Sequence, residues 1–133
     1  METAVTLRIL SAMDLRTVLP CDASSVGTAR RLVRKQLARV DDPDLVADAS
    51  LLVSELVTNA ILHGRTDVVL RAGLKRHVFR AEVTDRNPAV PTQRRPNEMA
   101  ADGRGLQLVD EIANRWGVKT SRSGKTVWFE LAR

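Results

Sequence analysis

Leu52-Val53-Ser54-Glu55-Leu56-Val57-Thr58-Asn59-Ala60-Ile61-Leu62-His63-Gly64 closes a helix that sets polar groups along the border of a core face. At about 100° per residue, Leu45, Ala49, Leu52, Val53, Leu56 and Ala60 form one apolar stripe. Glu55, Asn59 and His63 follow at successive i, i+4 positions along one edge of that stripe, and Ser54 and Thr58 are expected on the opposite, wet side. A carboxylate can take a proton or orient a hydroxyl, and a carboxamide oxygen can coordinate Mg²⁺, so Glu55 and Asn59 one turn apart suit a ligand site. Taken alone, the spacing favours a plainer arrangement in which Glu, Asn and His satisfy one another or nearby backbone. His63 lies at the helix end, where an imidazole can bond to the last carbonyls.

Outward from this stretch, Asp41-Asp42-Pro43-Asp44 reads as the helix start, with acidic groups near the positive end of the dipole and proline in the first turn. The helix is expected to reach about Leu62 and to end near His63-Gly64, with Gly64 in the left-handed cap conformation. Before it, Val26, Ala29, Val33, Leu37 and Val40 recur at helical spacing, which predicts a first helix to about Val40, capped by Ser24 or Ser25. Arg30, Arg31, Arg34, Lys35 and Arg39 occupy its other face, more simply a solvated face than a phosphate or partner patch. Val5–Leu10 and Leu15–Leu19 are short β-type segments.

Beyond the helix, strands are expected at Val68–Leu74 and His77–Thr84, turning at Lys75-Arg76. A Pro- and Arg-rich loop runs from about Arg86 to Asp102. A third helix over Gly103–Asn114 and a closing hairpin, Trp116–Thr120 with Thr126–Leu131, complete the pattern. Strands in hairpins mixed with helices predict an α+β sandwich with helices on one face of a mostly antiparallel sheet. No internal repeat divides the chain, so residues 1–133 read as a single domain.

Two further features point to a ligand. Asp85 follows the strand residues Ala81-Glu82-Val83-Thr84 at the mouth of the loop, where a carboxylate can accept a hydrogen bond from a base's amino group. Asp102-Gly103-Arg104-Gly105-Leu106 opens the third helix with two glycines, exposing backbone N–H groups at a positive helix end that suits phosphate. Each alone is a common turn motif.

Composition narrows the classes. The 133 residues are 44% apolar and 28% charged, ordinary for a folded soluble domain. Charges interrupt the apolar runs short of the roughly 18 residues of a membrane span, and no basic stretch leads into an apolar signal core. The lone Cys21 cannot make an intrachain disulfide or a cysteine metal cluster, and no local signature marks it as a nucleophile. A cytoplasmic location away from membranes is therefore expected. The net charge of +5 and pI near 10.3 invite a nucleic-acid reading, but two Trp, two Phe and no Tyr leave few stacking platforms for single strands.

Taken together, the segments resemble the GHKL ATPase superfamily, whose members include gyrase, Hsp90, histidine kinases and MutL, and within it the stand-alone anti-sigma-factor serine kinases of bacterial partner switching. The likeness runs from about Ser24 to Leu131. Leu52 to Ala60 with His63-Gly64 resembles the N box, Val83-Thr84-Asp85 the adenine box, Gly103-Arg104-Gly105-Leu106 the lid-to-helix glycines, and Gly124-Lys125-Thr126-Val127-Trp128-Phe129 the last strand. The resemblance implies a Bergerat-type two-layer sandwich with three helices on one face of the sheet, and an ATP lid at about 86–102.

It also implies roles. Asn59 would bind Mg²⁺, Glu55 would be the general base, and Asp85 would take the adenine amino group. Gly103 and Gly105 would meet the phosphates, Arg104 would pair with the triphosphate or instead face a partner, Asn87 and Leu106 would belong to the nucleotide-binding set, and Thr126 would support the adenine or its bridging water. Phosphoryl transfer would rest on positioning and electrostatics. The adenine box departs from the family's Asp-x-Gly-x-Gly: here it is Asp85-Arg86-Asn87-Pro88-Ala89, in which Asn87 can still turn left-handed while Pro88 stiffens the loop.

The function implied is an ATP- and Mg²⁺-dependent serine/threonine kinase that phosphorylates a STAS-type anti-sigma-factor antagonist and sequesters a sigma factor, as a homodimer. A non-catalytic ATP-binding module that switches partners without turnover is the alternative, and nucleic-acid binding through the basic first helix is a third reading. No phosphoacceptor-histidine helix pair precedes the site, so a sensor histidine kinase is not expected.

Overall fold

The computed structural model describes residues 14–87 and 104–133, with the side chains of Arg104 and Gly105 outside the description. The segment expected as strand Val5–Leu10, and the loop from Pro88 through Gly103, lie outside the described residues.

Alternation of apolar and polar residues builds the strands β1 (Leu15–Leu19), β2 (Val68–Lys75), β3 (Val78–Asp85), β4 (Arg115–Ser121) and β5 (Gly124–Ala132). They form one sheet in the order β1-β2-β3-β5-β4, with every pairing antiparallel. Leu19, Val68, Leu70, Phe79, Ala81, Val83, Phe129 and Leu131 are buried on the inner face under the helices. The β2–β3 turn falls at Arg76-His77, one residue later than expected, with both residues at positive φ (51° and 68°). That is the mirror-image turn whose twist matches a hairpin.

Helix α1 (Ser24–Gln36) is shorter than the sequence suggested and stops at Leu37. Its cap is also different: the backbone N–H of Ser24 donates to Asp22 Oδ2 at 3.0 Å, and Ser25 Oγ donates to the carbonyl of Pro20 at 2.7 Å. Asp22 therefore supplies the acceptor expected of Ser24 or Ser25, because the serines already lie inside the first turn. Helix α2 (Pro43–Asn59) begins as expected, with Asp42 accepting from the N–H of Leu45 at 3.0 Å and Pro43 in the first turn. Helix α3 covers Arg104–Ile112.

The wet face assigned to Ser54 is not wet. Ser54 is buried: its Oγ donates to the Ser50 carbonyl at 2.6 Å and accepts from Arg30 Nε at 3.1 Å. The wheel assumed one covered face, but α2 packs against the sheet on one side and α1 on another, so Ser50, Ser54 and Val57 form a second buried row. Small hydroxyl residues let the two helices approach closely. By length and composition the run Pro43–Gly64 could cross a membrane, with mean hydropathy 1.6, contrary to the expectation that charges break it too early. Half of that apolar window is buried here, as the central helix of a two-layer core.

The outer sheet face is polar. Arg80 bonds Glu82 and Glu130 at 3.0 Å each and lies 4.1 Å from the Trp128 ring centroid. Beneath that indole, a Cβ on Gly117 would come within 2.9 Å of the ring.

Candidate functional site

After Asn59 the backbone of α2 loosens into a π-helical turn, Ala60–Gly64. Arg65, not Gly64, takes the left-handed conformation (φ 56°, ψ 31°) that ends it. The expected cap role of Gly64 is thus corrected, and the reason is steric. A Cβ on Gly64 would stand 2.7 Å from both Cβ and Cγ of Asp85 and 2.9 Å from its Oδ2. Glycine is needed here for close approach, and the left-handed turn falls on the next residue, at roughly 1–2 kcal/mol for a non-glycine side chain.

Asp85 is the last residue of β3 and points to the inner face, where it is 1% exposed. Its Oδ1 accepts the backbone N–H of Asn87 at 2.9 Å. Asn87 in turn donates from Nδ2 to the carbonyls of His63 and Gly64, at 3.3 Å each. Asn87 thereby ties the loop after β3 to the π turn after α2, so the start of the glycine-free run Asp85-Arg86-Asn87 is held by side-chain hydrogen bonds. The turn that brings β5 alongside is equally tight: a Cβ on Gly124 would meet the Asp85 carbonyl oxygen at 2.0 Å.

Together these elements enclose a cleft between α2, α3 and the sheet, lined by Leu56, Asn59, Ala60, Val83, Asp85, Leu106, Val118, Lys125 and Val127. Its lining is mostly apolar, with Asn59, Asp85 and Lys125 as the polar side chains, and its free volume is about 30 Å³, room for a water molecule or two rather than for a ring. Of the residues singled out from sequence, Asn59, Asp85 and Leu106 meet here. Glu55 is half-buried one turn before Asn59 and does not line the cleft. Gly103 lies outside the described residues, and Arg104 and Gly105 are placed only by the backbone of α3. Among the described residues no three His, Cys, Asp or Glu side chains gather to hold a metal. Asn59, which lines the cleft, carries an amide oxygen of the kind that can ligate magnesium.

Thr126 does not enter the cleft. It pairs with Thr84 in the β3–β5 register, and their hydroxyls are 2.7 Å apart on the face opposite Asp85. The inward neighbour of Asp85 is Lys125, in direct register with it, its Nζ 3.9 Å from Asp85 Oδ2 and its side chain 13% exposed. The expected adenine support from Thr126 is therefore corrected by strand alternation. The signal was present in the sequence: Val127, Phe129 and Leu131 set the inward phase of β5, and Lys125 shares it.

A profile of the family described as histidine kinase-like ATPase domain matches residues 19–131. No curated protein matches the sequence. Among solved structures, one holding the RsbU and RsbW domains of Rv1364c from Mycobacterium tuberculosis matches with a TM-score of 0.71 at 23% identity, over 90% of this chain and 32% of that one. The blue-light activated histidine kinase of Erythrobacter litoralis EL346 matches with a TM-score of 0.58 at 24% identity, over 85% of this chain and 42% of that one. A structure of its histidine kinase domain matches at 0.52 and 21%, over 84% and 64%. This chain spans about a third of the length of the first of these structures, and at such identities the likeness is one of fold.

Proposed function

The chain belongs to the histidine kinase-like ATPase family, and from that membership we propose that it binds Mg-ATP in the α2–α3 cleft and transfers phosphate to a serine or threonine of a STAS-type anti-sigma-factor antagonist. In this reading the unmodified antagonist releases a sigma factor that the protein otherwise holds, and the protein works as a dimer in the cytoplasm. The observation that carries the nucleotide site is Asp85: a carboxylate 1% exposed that lines a mostly apolar cleft together with Asn59. The likeness to a structure containing an RsbW domain supports the partner-switching part.

The residues divide the work by position. Asp85 would accept from the base's amino group, while Leu56, Ala60, Val83 and Val127 would exclude water from its ring. Asn59 would hold magnesium against the phosphates, the ion supplying charge neutralisation for transfer. The N-terminal turn of α3, with Arg104 and Gly105, would offer backbone N–H groups to the phosphates. Glu55 would accept the proton of the attacking hydroxyl.

Calorimetric titration with Mg-ATP, followed by incubation with ATP and a candidate antagonist and mass spectrometry of the antagonist, tests the proposal. Nucleotide binding with a gain of one phosphate on serine or threonine is expected. Intact binding with no phosphate moved would sink the kinase assignment. The alternative, a non-catalytic module, is motivated by the glycine-free run Asp85-Arg86-Asn87-Pro88-Ala89. Under that reading Glu55→Ala keeps both binding and partner release.

A further inference from the structure

We propose that Lys125 is a base-reading residue, donating from Nζ to the ring nitrogen beside the amino group that Asp85 accepts. The assignment rests on the nucleotide reading of the cleft and sharpens it to a two-point recognition of one purine edge. Asp85 and Lys125 are direct partners in the β3–β5 register, both pointing to the inner face and both lining the cleft. Lys125 Nζ and Asp85 Oδ2 form an ion pair at 3.9 Å, which sets an ammonium and a carboxylate side by side in the cleft lining. An acceptor next to a donor complements an edge that carries a donor next to an acceptor. In adenine those are the N6 amino group and N1.

The position leaves little slack for either group. Gly124 fixes the start of β5 by its contact with the Asp85 carbonyl, and Gly64 presses on the Asp85 side chain from the other side. Lys125, with 13% of its side chain exposed, lines the cleft together with Val127 and Val118.

The test compares equilibrium binding of ATP with that of 1-deaza-ATP, in which N1 is replaced by C–H. The native protein should bind 1-deaza-ATP roughly tenfold or more weakly, the usual range for losing a hydrogen bond from a charged donor. Lys125→Met should bind the two alike, and Lys125→Arg, which keeps a donor, should retain the discrimination. Melting curves of both variants establish that they are folded. Equal binding of the two nucleotides by the native protein, or discrimination that survives in Lys125→Met, would overturn the role of Lys125 while leaving the nucleotide site standing. No ATP binding by the native protein would overturn the nucleotide reading, and this assignment with it.

Discussion

Gly64 and Asp85 are packed so closely that one added methyl group on the glycine would lie 2.7 Å from two carbons of the aspartate. The end of α2 and the end of β3 are thereby one structural unit, and the acceptor of the cleft is placed by a residue that has no side chain.

Gly64→Ala should therefore disturb the site and the fold together. Overpacking of this kind costs about 1–3 kcal/mol, and here it displaces the Asp85 carboxylate. A lowered melting temperature and a nucleotide affinity reduced at least tenfold are expected, read by thermal unfolding and titration. Unchanged affinity would mean that Asp85 is free to move without loss.

Ser54→Leu tests the burial of the second face of α2. A solvent-facing serine would tolerate the change within about 0.5 kcal/mol. Against α1, with Ser54 Oγ bonded to Arg30 Nε at 3.1 Å, the larger side chain should cost about 1–3 kcal/mol. Denaturant unfolding decides between the two.

Phe129→Ala should be the more damaging core change. Phe129 is fully buried on the inner face, its ring centroid 6.0 Å from that of Phe79. Phe-to-Ala changes in such places cost about 3–5 kcal/mol, a large share of the stability of a domain this size, so the midpoint of urea unfolding should fall steeply.

The cap of α1 predicts an acid-range effect. The carboxyl of Asp22 lies below its ordinary value of 3.8, first because the Ser24 hydroxyl donates to it and then because the Ser24 backbone N–H does. A carboxyl depressed in the folded state stabilises the fold above its unfolded value, and that stabilisation fades as pH falls through the lower folded one. Between about pH 5 and pH 2, Asp22→Asn should flatten this part of the stability profile. Melting temperatures of the two proteins across that range, converging at the acid end, provide the check.

Much of this molecule was legible along the chain. The 3.6-residue period of α2, the Asp42-Pro43 start and the alternation of β3 and β5 are local patterns, and each is set by which residues a neighbouring surface must cover. That was enough to expect an α+β sandwich, whereas only the resemblance to a known family put Asn59 and Asp85 in one site. Facing was less legible wherever a second neighbour intervened. Ser54 reads as exposed until α1 is packed on it, Gly64 reads as a cap until Asp85 arrives from β3, and Thr126 reads as a ligand until the β3–β5 register turns it outward and Lys125 inward. Periodicity tells a segment which residues share a face, so the helix and strands were determined by the sequence itself. Which partner meets each face depends on segments tens of residues away, and for Ser54, Gly64 and Lys125 only the tertiary structure decided it.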